Sequence, residues 1–198
     1  MKKQIYLTSL VILVIVTASW FPKTIERGFT IVPNETKVTW TAFKTTDKIP
    51  VTGIFKEVVI ENKTSKATIY QALDGIKFSI PVSSVFSQSS LRDGKIVNFF
   101  FAKMLNTSKI LGSIKLLDKS TGVVNITMNN VSEDLPFTFK IPDDLIIIDA
   151  EMDVNNWKAQ AALEALNDAC EDLHSGPDGE SITWSTVKIN VTSKVKFE

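Results

Sequence analysis

Residue types that commonly carry out catalysis are scarce in this sequence. It has one histidine, His174, and one cysteine, Cys170. Each would need a partner group to act as a base or a nucleophile, and the sequence contains neither a G-x-S-x-G turn nor an H-E-x-x-H pair. We interpret His174 as an exposed residue at a helix end, where the helix dipole favours a cation, and Cys170 as a buried structural thiol. No catalytic residue is predicted, and the chain is not expected to be an enzyme.

Acidic residues near the same region raise the question of a metal site. They are Asp168, Glu171, Asp172, Asp178 and Glu180. The Asp178-Gly179-Glu180 turn lacks the alternating oxygen ligands of a calcium-binding EF-hand loop, so a solvated helix face and turn explains the cluster better. A single cysteine also excludes an internal disulfide and a multi-cysteine metal site. The sequence therefore predicts no metal and no cofactor.

Aromatic side chains suggest a different kind of site, one that binds by apolar burial. The chain has 12 Phe and 4 Trp, a heavy load for a small β protein. Any one of these residues fits an ordinary core about as well as a cavity wall. As a set, they favour an apolar ligand cavity. The residues predicted to line it are Trp40, Phe43, Phe55, Phe78, Phe86, Phe99, Phe100, Phe101, Met104, Phe137, Phe139, Trp157 and Trp184.

Strands are expected to position these side chains, because apolar and polar residues alternate along most of the chain. Two-residue periodicity is typical of strands with one buried and one solvated face. The predicted strands are residues 29–32, 37–45, 52–61, 67–73, 76–82, 109–117, 123–131, 135–141, 145–153 and 181–197. Some of these runs are separated only by a turn or bulge, so the count is about eight or nine strands. This number of strands with short turns predicts an all-β fold: a closed or nearly closed antiparallel barrel, with a β-sandwich as the runner-up.

Residues 83–107 break the alternation and are predicted to form short helical turns joined by loops. Phe99, Phe100 and Phe101 are consecutive, so they cannot all face one side of a helix. Some of them, together with Met104, are expected to plug or gate the mouth of a barrel.

Residues 157–173 predict one long α-helix in the C-terminal half. Asn155 or Asn156 is the predicted cap. Apolar side chains recur on one face at spacings of three and four, at Leu163, Leu166, Cys170 and Leu173. Such a helix either covers an open barrel end or docks a partner, and the sequence does not choose between the two.

The N-terminal residues are typical of an export signal. Lys2 and Lys3 precede an apolar run at residues 5–16, and the small residues up to Ala18 suit cleavage after that position. The apolar run is too short to span a bilayer comfortably. We expect an exported protein of the periplasm or the extracellular space. The alternative is an uncleaved anchor or a buried segment.

The remaining chain is expected to be one domain. The predicted division is a signal peptide at residues 1–18, a tether at 19–28 and a barrel domain at 29–198. The 22 basic and 22 acidic residues balance, so no charge pattern points to a nucleic-acid partner.

Four stretches, taken in order, resemble the YceI-like family of bacterial periplasmic proteins. They are KVTWTAFK at residues 37–44, VTGIF at 51–55, LRDGKI with the following NFF at 91–100, and GVVNITMNNV at 122–131. The resemblance implies a lipocalin-like antiparallel barrel whose apolar interior holds a long isoprenoid lipid. The helix at 157–173 departs from the family pattern, in which a more direct run of strands is expected.

The function predicted from these features is lipid binding without covalent chemistry. The protein would sequester or carry a long-chain isoprenoid or quinone-type lipid through an aqueous compartment. Transient membrane contact and pairing into a homodimer are compatible with this hypothesis. Two alternatives stay open. One is a structural or adhesive cell-surface β-sandwich with a solid core. The other is an enzyme acting on isoprenoid lipids, for which His174 would be the only available histidine base.

Overall fold

The computed structural model describes residues 28–61 and 64–197, and the strands in these residues form one antiparallel sheet. The predicted signal peptide, 1–18, and residues 19–27 of the predicted tether lie outside the described residues. The strands are β1 (Phe29–Lys44), β2 (Ile49–Phe55), β3 (Val59–Ile60), β4 (Lys77–Pro81), β5 (Val85–Phe86), β6 (Lys109–Leu116), β7 (Thr121–Met128), β8 (Val131–Lys140), β9 (Leu145–Asp153) and β10 (Thr186–Phe197).

Short helices fill the connections between the strands. The α-helices are α1 (Ile69–Leu73), α2 (Ser90–Lys95), α3 (Gln160–Ala169) and α4 (Glu171–His174). A π-helical turn covers Ile96–Phe100, and 3-10 turns cover Val82–Ser84, Phe101–Lys103 and Val154–Trp157. No helix in the described part of the chain has both the length and the apolarity needed to cross a bilayer.

The sheet curls into a barrel, as two short connections show. The strand order is β3-β4-β6-β7-β8-β9-β10-β1-β2-β5, so β3 and β5 lie at opposite ends of it. Residues 56–58 nevertheless lead directly from β2 to β3, and Val82–Ser84 leads directly from β4 to β5. A three-residue connection spans at most about 15 Å, so the two ends of the sheet must lie side by side. The predicted all-β barrel is confirmed, and a sandwich of two packed sheets is excluded.

The line where the two ends of the sheet lie side by side, which we call the seam, also corrects one predicted strand. Residues 52–61 alternate throughout and were expected to form a single strand. The chain instead leaves β2 after Phe55 and crosses the seam before β3 begins at Val59. The alternation of burial also breaks at the crossing, where Lys56 and Glu57 are both exposed.

The first strand is longer than predicted because it contains a bulge. The prediction ended a short strand at Pro33 and Asn34, but β1 continues to Lys44. Its register against β10 shifts between Ile31 and Thr36, which absorbs the missing N–H donor of Pro33. The Thr36 hydroxyl donates to the carbonyl of Val32 at 3.0 Å and holds the bulge together.

The predicted strand at residues 67–73 is wrong, because this segment forms helix α1. Thr68 caps the helix by accepting a hydrogen bond from the Gln71 N–H at 3.2 Å. Ala72 and Leu73 are buried, so the helix closes one end of the barrel. Short apolar runs of this length fit a buried helix as well as a strand.

The predicted long helix at residues 157–173 is divided in two. Trp157 belongs to a 3-10 turn that ends at Lys158, in the left-handed conformation with φ of 54°. Helix α3 follows, and Cys170 separates it from α4. The predicted asparagine caps are wrong, since α3 has Ala159 at its N-cap and no side-chain cap. Asp153 instead caps the preceding 3-10 turn through the Asn155 N–H at 2.9 Å.

Candidate ligand cavity

An apolar cavity of about 620 Å³ occupies the interior of the barrel. Ligand cavities of drug-sized molecules measure about 300–1,000 Å³. Alternate residues of the strands face it, as the pleat requires, including Ile148, Ala150 and Met152 of β9. Along β10 the lining runs from Val187 to Ser193, which is about 20 Å of strand. The cavity therefore has the length and the surface chemistry to hold an extended apolar chain.

The cavity runs between two differently built barrel ends. At the end covered by α1, the lining includes the apolar residues Leu73, Ile76 and Ile114. At the opposite end, which we call the mouth, the π-helical turn and α3 pack against each other. The two hydrophobic core clusters of the described residues follow the same division, one with Leu73 and Ile76 and the other with Phe101 and Ala162.

Eight of the thirteen predicted residues line this cavity. They are Trp40, Phe43, Phe55, Phe78, Phe100, Phe101, Phe137 and Trp184. Most of the remaining wall is aliphatic, from Ile, Val, Leu and Met of the strands, and these residues were not among those predicted. The alternating pattern that predicted the strands could have identified these aliphatic residues, because it shows which face of each strand is buried. The ligand-binding role of the eight residues stays a prediction.

The other five predicted residues, Phe86, Phe99, Met104, Phe139 and Trp157, lie outside the lining. Trp157 is 1 % exposed and its indole N–H donates to the carbonyl of Ile126 at 2.9 Å, so it anchors the 3-10 turn in the core. Phe99 is 41 % exposed on the outside of the π-helical turn. Phe86 packs under the ammonium group of Lys56, 3.6 Å from its ring centre. The sequence alone could not separate these residues from the cavity wall, because large apolar side chains are equally common in a solid core.

Glycines opposite three of the aromatic rings keep the interior open. Gly53 is the cross-strand partner of Trp40, and a Cβ atom at this glycine would lie 2.2 Å from the Trp40 ring. Phe78 lies on Gly112 and Phe137 on Gly122 in the same way, at 2.2 and 2.3 Å. Each ring therefore lies against the neighbouring strand instead of projecting into the lumen. The pairing gives the cavity an aromatic wall without filling it.

One aromatic residue of the wall, Trp40, carries a polar atom that is buried without a partner. The side chain is buried, with 6 % exposed, and its indole N–H has no hydrogen-bond partner among the described residues. Leaving a buried donor unpaired costs about 1–3 kcal/mol.

The mouth contains the only charged groups among the described residues that line the cavity, and all three are cations: Lys44, Arg92 and Lys95. The Lys44 ammonium donates to the carbonyl of Leu173 at 2.6 Å, and the Lys95 ammonium donates to the carbonyl of Ala169. These carbonyls lie at the C-terminal ends of α4 and α3, where a cation is favoured. The two lysines thus fix the helices over the mouth.

His174 lies at the mouth as well, which corrects the expectation of an exposed side chain. It is half-buried, it lines the cavity, and its Nδ1 is 2.6 Å from the Thr183 hydroxyl oxygen. Burial lowers the pKa of His174 to about 4, with further lowering by the positive charges of Lys44 and Lys95. The imidazole is therefore neutral at pH 7.

The predicted apolar helix face forms part of the cavity cover. Leu163, Leu166, Cys170 and Leu173 all line the cavity. The Cys170 thiol is free and buried, as predicted. Of the two roles that the sequence left open for this segment, the structure shows the first, which is covering the barrel end.

The acidic cluster does not gather into a metal site. Within the described ranges, no group of three or more His, Cys, Asp and Glu side chains could hold a metal ion. Asp178 instead accepts hydrogen bonds from the Thr46 hydroxyl at 2.6 Å and from the Glu180 N–H at 3.1 Å. It thereby ties the turn before β10 to the turn after β1.

No protein-family model and no curated protein matches this chain. Solved structures do share its fold. A polyisoprenoid-binding domain from Saccharophagus degradans, implicated in plant cell wall breakdown, is similar at a TM-score of 0.59 and 12 % identity, over 87 % of this chain and 99 % of that domain. BcnA of Burkholderia cenocepacia is similar at a TM-score of 0.54 and 14 % identity, over 84 % of this chain and 99 % of BcnA. The likeness confirms, at the level of the fold, the resemblance drawn from the four sequence motifs.

Proposed function

We propose that this chain, a barrel of the YceI-like fold, is a lipid-binding protein that holds a long-chain isoprenoid or quinone-type lipid in its interior. The observation that carries the proposal is the elongated cavity of about 620 Å³ with an almost entirely apolar wall. A solid core, as in the adhesive alternative, would leave no such space. The polyisoprenoid-binding domain of the same fold supports this choice of ligand.

Apolar burial alone supplies enough free energy for this function. Burying one five-carbon isoprene unit contributes at most about 4 kcal/mol, at about 0.8 kcal/mol per carbon. Association costs about 4–15 kcal/mol, so about four buried units offset it. Because each further unit adds a similar increment, the cavity wall discriminates poorly between neighbouring chain lengths.

The protein is proposed to act by binding and release, without covalent chemistry. His174 is the observation that favours the enzymatic alternative, because it lines the cavity. Its pKa, lowered to about 4 mainly by burial, makes it a weak base at pH 7. We also propose that residues 1–18 direct export, so that the lipid is sequestered or carried in the periplasm or outside the cell.

Native mass spectrometry tests the proposal directly. The full chain is expressed, purified from the exported fraction without detergent, and measured before and after solvent extraction. We expect a one-to-one adduct whose extract is an isoprenoid or a quinone. A ligand-free mass that persists after incubation with such lipids would contradict the proposed function.

A further inference from the structure

The barrel wall has an opening along one edge of β2, where the seam reaches the mouth. β2 pairs with β5 only through Ile54 and Phe55, so among the described residues 49–53 have no strand partner on that edge. Pro50 and Thr52 are exposed residues of this edge, and both line the cavity. The cavity therefore reaches the surface past the edge of β2.

Helix α2 forms the other side of this opening. β5 runs antiparallel to β2, so the chain after Phe86 continues beside residues 49–53, where it leaves the sheet and begins α2. Ser89, Leu91 and Arg92, at the start of α2, line the same cavity. We call the gap between residues 49–53 and α2 the side opening. It connects the apolar interior directly with the surface of the barrel.

Three exposed apolar side chains, which we call the apolar rim, surround the side opening. They are Ile49, Leu91 and Leu173, and they are 45 %, 70 % and 56 % exposed. Leu91 and Leu173 line the cavity, and Ile49 is the cross-strand partner of Lys44. The Lys44 ammonium donates to the Leu173 carbonyl at 2.6 Å, which holds α4 beside the end of the β1–β2 pair. Single exposed leucines are ordinary, but apolar side chains that three elements bring to one opening mark an interaction surface.

The charges beside the apolar rim are positive. In the part of the chain that the structure describes, Lys44, Arg92 and Lys95 line the cavity and make no ion pair within 4.0 Å. Asp93 adjoins Arg92 in sequence, but its carboxylate accepts hydrogen bonds from the Ser87 N–H at 2.8 Å and the Ser87 hydroxyl at 2.6 Å. The protein therefore leaves the positive charge at this surface uncompensated.

The acidic residues of α4 belong to its other face. Cys170, Leu173 and His174 line the cavity, as their spacing on a helix requires. Glu171 and Asp172, between them in sequence, do not line it. The surface around the side opening thus combines apolar side chains with cations.

We propose that the apolar rim and the cations beside it form a docking surface for an anionic lipid bilayer, which sets the side opening against the membrane. The inference rests on the proposed lipid-binding function and adds its membrane partner. A bilayer has an apolar interior beneath an anionic surface, so it complements leucine side chains flanked by lysine and arginine. A lipid that enters through the side opening then exchanges one apolar environment for another without crossing water.

A second copy of this chain is the competing occupant of the apolar rim. Two copies that met there would bring Lys44, Arg92 and Lys95 of one chain towards the same cations of the other. Like charges that face each other across an interface cost free energy. An anionic bilayer carries no such penalty, so it is the favoured occupant.

Sedimentation with vesicles tests the docking surface. The delipidated full chain is mixed with vesicles of phosphatidylcholine alone, or of phosphatidylcholine and phosphatidylglycerol in equal parts. We expect the mixed vesicles to bind the chain at least about tenfold more tightly, because each Lys or Arg near an anionic surface contributes about fivefold. Raising the salt concentration should remove most of this preference. Equal binding to both kinds of vesicle would contradict the role of the cations.

Two pairs of leucines locate the surface. The double variant Leu91→Ser, Leu173→Ser should bind the mixed vesicles at least about tenfold more weakly, because two apolar side chains no longer enter the bilayer. The matched variant Leu111→Ser, Leu117→Ser removes two leucines that are 44 % and 61 % exposed and do not line the cavity. It should keep full vesicle binding. An equal loss in the two variants would show that the bilayer does not recognise the apolar rim.

Ile49→Ser separates docking from ligand binding and from folding defects. Ile49 is 45 % exposed and does not line the cavity, unlike Leu91 and Leu173. Its variant should weaken vesicle binding by a smaller factor than the double variant does, and should bind the apolar probe N-phenylnaphthylamine in solution as the unmodified chain does. Vesicle binding that is unchanged in both variants would overturn the proposal.

The remaining outcomes distinguish docking from the proposed function. A chain that binds the probe in solution but sediments with neither kind of vesicle would lose the docking surface, while lipid binding would stand. Sedimentation without probe binding would reject the proposed function and retain the apolar rim as a membrane contact. A dimer that dissociates in the variant Leu91→Ser, Leu173→Ser would assign the apolar rim to a second copy and contradict the proposal.

Discussion

At the scale of single residues, the open interior depends on glycines, which have no side chain, opposite three aromatic rings. A tryptophan or phenylalanine inside a small barrel would normally fill it. Here Trp40, Phe78 and Phe137 lie over glycines of the neighbouring strand, and the lumen stays free. A side chain as small as a methyl group at one of these glycines would force the ring to move inward.

Replacing Gly53 by alanine should therefore affect both stability and binding. The new Cβ atom would meet the Trp40 ring at 2.2 Å, so the ring must rotate into the cavity. We expect a loss of about 1–3 kcal/mol in unfolding free energy, measured by urea denaturation, and weaker binding of a fluorescent apolar probe. Gly94→Ala is the matched control, since nothing lies within 4 Å of its Cβ position in α2, and it should leave probe binding unchanged. Probe binding that survives in Gly53→Ala would contradict the role of the glycine.

His174 gives the molecule a pH dependence with a defined window. Its pKa is about 6.5 when unfolded and about 4 when folded, so the unfolded chain takes up the proton first. Stability is then fully present above pH 6.5 and falls as the pH drops towards 4. Asp118 contributes only below this window, because hydrogen bonds from Ser120 and Thr121 lower its pKa from 3.8 to about 2.

The expected measurement is a Tm that falls between pH 7 and pH 5. A His174→Gln variant should show a smaller fall, because His174 is the one histidine of the sequence. An identical fall in both proteins would show that His174 is not responsible.

At the scale of elements, the segment between β5 and β6 covers the mouth with its ring side chains. Phe100 and Phe101 line the cavity in a T-shaped pair with ring centres 5.1 Å apart, whereas Phe99 points outward. The π-helical turn, a type often found at functional sites, divides the three consecutive rings between inside and outside. The prediction that some of the three rings reach a barrel mouth agrees with this placement, and their gating role stays untested.

Replacing each of the neighbouring residues Phe99 and Phe100 by serine, in separate variants, tests that gating role. Phe100→Ser removes a ring from the cavity cover and should speed the release of a bound apolar probe. Phe99→Ser removes an identical ring from the outer surface and should leave the release rate unchanged. Stopped-flow measurement of probe release compares them. Equal rates of probe release in the two variants would show that Phe100 does not gate the cavity.

The elements also show where sequence patterns fail. The run at residues 145–153 was predicted with the bounds that β9 has, because it is long and follows the turn residues Pro142, Asp143 and Asp144. Helix α1 was missed because five residues are too few to reveal a helical period. The seam was missed because only residues 56–58 separate the two strands, and they include no glycine or proline that would mark a break. Local pattern predicts burial, whereas partner choice depends on the whole sheet.

At the scale of the whole molecule, the mouth is a product of topology that no local pattern contains. Lys44 is about fifty residues from Arg92 and Lys95, and the helices that the lysines cap follow some seventy residues later still. Each of these residues alone is an ordinary surface cation. Only the curled sheet brings them to one opening, so the sequence predicted the apolar interior but not its charged end.

The molecule as a whole should become more stable when the cavity is occupied. A ligand present at 100 times its Kd stabilises the folded state by about 2.7 kcal/mol, which corresponds to a Tm increase of about 5–11 °C for a chain of this size. Thermal denaturation with and without geranylgeraniol measures the difference. A side chain that fills the lumen should abolish this Tm increase. Ala150→Trp adds such a side chain on the face of β9 that lines the cavity.

Glu151→Trp is the control for that experiment, because the next residue of a strand faces the opposite side of the sheet. Glu151 is exposed and does not line the cavity, so its variant should keep the full Tm increase. The two variants add the same side chain to adjacent positions, and they differ only in which side of the wall it occupies. Loss of the increase in Ala150→Trp alone would place the lipid inside the barrel. Loss in both, or in neither, would mean that the ligand binds elsewhere.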